Sequence, residues 1–68
     1  MSGADVAGMA NQIAAYFAAY PREEAVAGIA DHIMKFWNPA MRRDLLALAA
    51  ARPATLNELV TSALPKLA

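Results

Sequence analysis

The chain has 68 residues, is 59% hydrophobic, carries six basic and six acidic side chains, and contains no cysteine. This length holds one small domain at most. The composition excludes a disulfide framework, a thiolate metal site and a cysteine nucleophile. It also speaks against disorder and against a nucleic-acid binder that works by neutralising phosphates.

Eighteen of the apolar residues are alanine, which favours helix but buries little surface; 22 are larger. Natural domains this small usually add disulfides, a metal or a partner. Without cysteine, only a metal or a partner remains.

Met1 to Ala4 reads as a frayed start. No basic stretch precedes an apolar run there, so no signal peptide is expected. The uncharged stretch from Val6 to Tyr20 is 15 residues long, short of the ~20 apolar residues a membrane helix needs. The first helix is expected over 5–20, with Asp5 as N-cap and Val6, Met9, Ile13, Tyr16, Phe17 and Tyr20 on one face. Pro21 ends it and opens the second helix, expected over 21–37 with Pro21 at the first helical position. Glu23 and Glu24 suit the start of that helix and Lys35 suits its end. Its stripe is Val26, Ile29, Ile33 and either Phe36 or Trp37.

Asn38-Pro39 repeats the punctuation. Asn38 caps and Pro39 begins a third helix, expected over 39–51 with Met41, Leu45 and Leu48 inward. Arg52-Pro53 breaks it. Thr55-Leu56-Asn57-Glu58 then reads as a capping box for a short fourth helix, expected over 55–64 and stopped before Pro65. No strand-like alternation is present. The expected fold is all-α, a single small bundle of three to four short helices joined by proline turns.

No constellation for catalysis emerges. His32 is the only histidine, and its neighbour Asp31 points about 100° away on a helix, so the two form no dyad. Its expected role is structural or interfacial. One histidine and scattered carboxylates do not make a metal set. Arg42-Arg43 sits at the start of a helix, where the dipole disfavours cations. It reads either as a solvated pair beside Asp44 or, for Arg42, as a contact to a partner carboxylate. Consecutive Phe36 and Trp37 cannot both face one small core. Tryptophan, methionine and arginine are enriched in interface cores, so a protein–protein surface is expected around Met34, Trp37, Pro39 and Met41.

Three runs carry a resemblance. They are Met9-Ala10-Asn11-Gln12-Ile13-Ala14, then Glu24 to Ile33 with its Gly28-Ile29-Ala30-Asp31-His32-Ile33, and Lys35-Phe36-Trp37-Asn38-Pro39-Ala40-Met41-Arg42. Together they resemble the delta subunit of bacterial NAD-dependent, molybdenum-containing formate dehydrogenases. The resemblance covers roughly residues 9–48. Arg42 matches the family's pattern, whereas Asn38, Ala40 and Met34 depart from it at positions that are usually acidic, arginine and basic.

The resemblance implies a non-catalytic accessory subunit in the cytoplasm, with no nucleic-acid or membrane partner. Its partner is expected to be the catalytic alpha subunit, whose assembly, cofactor insertion or stability it supports. The complex is expected to carry bis-molybdopterin-guanine-dinucleotide (bis-MGD) molybdenum, iron–sulfur clusters, FMN and NAD, none of them bound by this chain. The residues put forward for the partner surface are Met9, Asn11, Gln12, His32, Met34, Phe36, Trp37, Pro39, Met41 and Arg42. On this reading Trp37→Ala weakens the complex more than the fold, and Arg42→Glu probes the interface through a side chain outside the core. A self-associating helical module is the alternative. A small helix-turn-helix DNA binder is disfavoured by the zero net charge.

Overall fold

Three prolines, Pro21, Pro39 and Pro53, mark the turns of the chain, and the helices fall between them. The structure, a computed structural model, describes the backbone of residues 3–67 and the side chains of residues 6–67. Helix α1 runs Gly3–Phe17, α2 Arg22–Phe36, α3 Pro39–Ala51 and α4 Glu58–Ala63. A 3-10 turn, Pro53–Thr55, joins α3 to α4, and another, Leu64–Lys66, follows α4. There is no strand among the described residues, so the all-α class holds.

Helix α1 begins before Asp5, which therefore lies inside the helix rather than at its cap. Met1 and Ser2, from the expected frayed start, lie outside the described residues. The helix also stops three residues short of Tyr20. The Ala18 N–H donates to the Ala15 carbonyl at 3.3 Å and the Tyr20 N–H to the Phe17 carbonyl at 3.0 Å, so the chain tightens before Pro21. Pro21 sits at φ −53°, ψ 146°, just outside α2, and its carbonyl accepts from the Ala25 N–H. It is the N-cap rather than the first helical residue.

The α2–α3 turn is built as the sequence indicates. Asn38 Oδ1 accepts the Met41 N–H at 2.9 Å, and Pro39 opens α3. The α4 start differs. The Thr55 hydroxyl donates to the Arg52 carbonyl at 2.8 Å, and Asn57 caps the helix by accepting from the Leu59 N–H at 2.8 Å. The 3-10 turn takes Thr55 away from the helix start, so no capping box forms. Glu58 instead reaches Arg22, 36 residues earlier in the chain.

The core is formed where α1 packs on α2 and α3, and α4 packs on α2 and α1. Its fully buried large side chains are Val6, Ile29, Ile33, Leu45 and Val60, each stabilising by about 1.5–3 kcal/mol. Trp37 joins them at 5% exposure, while Phe36 is 73% exposed. The choice left open on the α2 stripe thus resolves inward for Trp37. Helix α1 contributes mostly small residues to this core: Val6, Ala7, Ala10 and Ala14.

Two polar devices tie the fourth helix back. The Asn11 side chain donates to the Thr55 carbonyl at 2.9 Å and accepts the Asn57 N–H at 2.7 Å. Asn11→Ala removes both bonds, and an expected loss of about 1–2 kcal/mol is read as a lower denaturant midpoint. An unchanged midpoint would mean that water replaces the clamp at no cost.

Arg22 forms the second device, donating to Glu58 at 2.8 Å and to the Ser62 hydroxyl at 2.6 Å. The hydrogen bond from Arg22 holds the Glu58 carboxyl below its ordinary value, and the same pair raises Arg22. A carboxyl lowered in the folded state stabilises it above the unfolded value, and the gain is lost as pH falls through the folded value. Glu58→Gln is therefore expected to shrink the drop in melting temperature between neutral and acidic pH. An identical drop in both proteins would remove the pair from the stability account.

Candidate functional site

The inward face of α1 is stocked with alanine, and its larger side chains lie on the adjoining face. At about 100° per residue, Val6, Ala10, Ala14 and Ala7 form one stripe and Met9, Ile13, Tyr16 and Phe17 the next. Together they make about half the circumference apolar, more than the rest of the bundle covers. The second stripe borders an open groove of about 550 Å³ between α1 and α2. Met9, Gln12, Ile13, Tyr16 and Phe17 line it from α1; His32 and an edge of Trp37 line it from the end of α2.

Aromatic contacts fix the rims. The Tyr16 and Phe17 rings meet edge to face, centroids 5.0 Å apart, and Phe17 meets Tyr20 at 5.5 Å. Across the groove His32 lies on Phe36, one helical turn on, at 4.8 Å. Tyr16 is 69% exposed and Tyr20 46% exposed. Gly28 seats the Phe17 ring on α2. A Cβ there would lie 2.5 Å from the Phe17 ring, so the glycine is what lets that ring lie against the α2 backbone.

Electrostatically the groove is neutral. No Asp, Glu, Lys or Arg lines it. The nearest charges on α2, Asp31 and Lys35, pair with each other at 3.1 Å. Polar side chains in the lining are those of Gln12, Tyr16 and His32, with the indole of Trp37. Among the described residues no three His, Cys, Asp or Glu side chains gather to hold a metal. Such a surface suits an apolar protein segment.

The residues singled out from the sequence divide. Met9, Gln12, His32 and Trp37 come together at the groove, and Phe36 joins through its contact with His32. Asn11 projects from the opposite side of α1 and is occupied by the Thr55–Asn57 clamp. Met34 is 47% exposed, but it lies on the flank of α2 away from His32. Pro39 is exposed at the α3 start, and Met41 packs partly against the core.

Two expectations are corrected here. Trp37 is a core residue with one edge on the groove, so truncating it strikes the fold first. Arg42 is half-buried and donates to the Trp37 carbonyl at 2.6 Å. That carbonyl ends α2 without a helical partner, and a cation is favoured there. Arg42 thus serves the helix before its own, and Arg42→Glu would disturb the α2–α3 turn as well as any interface.

Ile13, Tyr16 and Phe17 are the groove residues that sequence reasoning did not single out. The signal was present, since Ala7, Ala10 and Ala14 already supply a core stripe of their own.

The described residues form a small all-α bundle with an uncovered apolar groove between α1 and α2. The chain belongs to the family described as NADH-dependant formate dehydrogenase delta subunit FdsD, whose family model matches residues 6–64. It is therefore the delta type of subunit in a formate dehydrogenase, a hetero-oligomer. No curated protein and no solved structure matches the chain at a significant level. No helix among the described residues is long and apolar enough to cross a membrane.

Proposed function

We propose that this chain is a non-catalytic accessory subunit that docks on the molybdenum-containing catalytic (alpha) subunit of a cytoplasmic formate dehydrogenase. Docking uses the α1–α2 groove and supports assembly, cofactor insertion or stability of that subunit. One observation carries the reading: α1 fills its fully buried face with Val6 and alanines, and its adjoining face leaves Tyr16 exposed and Met9, Ile13 and Phe17 only partly buried along the groove. Exposing a contiguous apolar stripe is unfavourable unless something covers it.

The chemistry of these 68 residues points the same way. With no cysteine they offer no thiolate to an iron–sulfur cluster. The iron–sulfur clusters expected of the complex are therefore assigned to its other subunits, and the proposal places the molybdenum centre, FMN and NAD there with them.

Deleting the chain tests the function. Formate-dependent NAD reduction and the molybdenum content of the purified enzyme are both expected to fall. Unchanged activity, metal content and complex stability together would overturn the proposal. Self-association is the second reading, favoured by a groove without charge that would repel no second copy. Sedimentation of the purified chain decides it: a stable homodimer that binds no catalytic subunit would replace the first reading.

A further inference from the structure

Gly8 and Gly28 both lie in the interior of helices, and the space around them differs. Neither has a positive φ, so conformational freedom explains neither. Within a helix each is less stable than alanine would be. A Cβ on Gly8, which is exposed on α1, would meet nothing within 4 Å. A Cβ on Gly28 would lie 2.5 Å, 2.8 Å and 2.9 Å from three atoms of the Phe17 ring. Carbon atoms pack at about 3.5–4.0 Å, so the ring would have to back away from α2 by about 1 Å or more.

The ring does not stand alone. It meets Tyr16 edge to face at 5.0 Å and Tyr20 at 5.5 Å, and it lines the groove together with Tyr16. Displacing it would disturb these contacts and shift the aromatic wall of the groove. We infer that Gly28 is a positioning residue for the groove: its missing side chain seats Phe17 on α2 and so fixes where Phe17 and Tyr16 stand against a docked partner. Helix stability is given up at residue 28 for the shape of that wall. This rests on the proposed docking at the groove and adds the residue that sets its aromatic side.

Gly28→Ala and Gly8→Ala in the full chain test it by three readouts: a thermal melt, proton NMR contacts between the Phe17 ring and residue 28, and titration with the purified catalytic subunit. Gly8→Ala is expected to melt above the parent and to bind as the parent does. Gly28→Ala is expected to stay folded, to melt no higher than Gly8→Ala, to move the Phe17 ring, and to bind about tenfold or more weakly. An unmoved ring would overturn the inference and leave the docking untouched. A moved ring with parent-like binding would overturn it too. The docking itself then stands or falls with Phe36→Ala and Tyr16→Ala together, which strike the groove without touching Gly28. Phe17→Leu, which removes the ring and keeps Gly28, covers a Gly28→Ala chain that does not fold. A folded Phe17→Leu chain with the same loss of binding supports the role of the seat, and parent-like binding overturns it.

Discussion

Trp37→Ala abolishes the cooperative thermal unfolding of the purified chain. Trp37 is 5% exposed and closes the end of the core where α2 turns into α3. Truncating a buried tryptophan costs about 3–5 kcal/mol in lost burial and residual cavity. A core of this size supplies about 3–5 kcal/mol in all, so the variant is left with little or nothing. Its backbone carbonyl also receives Arg42, so a loosened α2 end releases that bond as well. The measurement is a far-ultraviolet circular dichroism melt against the parent chain. A variant that melts like the parent and loses only complex formation would return Trp37 to the partner surface.

The neighbouring position should behave in the opposite way. Phe36→Ala combined with Tyr16→Ala leaves the melt within a few degrees of the parent and weakens binding to the catalytic subunit by about 30-fold or more. Both rings are largely in water, 73% and 69% exposed. Surface truncations of this kind usually change stability by no more than about 0.5 kcal/mol each. Aromatic anchors at the centre of an interface typically contribute about 2 kcal/mol or more each, and one such anchor already gives the 30-fold effect. Titration of the two purified subunits reads the affinity, and a melt in parallel reads the fold. Full-strength binding by a folded double variant would remove the groove from the interface. The contrast between residues 36 and 37 falls at the helix end, where Phe36 is the last residue of α2 and Trp37, its C-cap, begins the turn into α3.

Much of the fold was legible because proline and asparagine act locally. Asn38-Pro39 sets its turn through one side-chain acceptor and one missing N–H, and both effects need only neighbouring residues. The boundaries that moved depend on distant partners. Thr55 and Glu58 are spaced for a capping box, but Glu58 is drawn to Arg22 and Thr55 to the preceding turn.

The site was legible in half. Met9, Gln12 and His32 were found among the motif residues and do line the groove. Asn11 was put forward with them from the Met9–Ala14 run, whereas in the helix it turns to the Thr55–Asn57 elbow. Tyr16 and Ile13 were placed together on the apolar face of α1; packing leaves Tyr16 exposed, whereas Ile13 is partly buried against the core and also borders the groove.

The alanine stripe also bears on the abundance of the subunit in the cell. Small residues let α1 approach the bundle closely but give it few atoms to hold on with. The free chain is therefore less stable than its share of apolar residues suggests, and a bound partner adds to its stability by mass action. An unassembled copy unfolds more often and is open to proteolysis more often. On the proposed docking, its steady-state level then follows that of the partner subunit, which would match the stoichiometry of the two without a separate regulator.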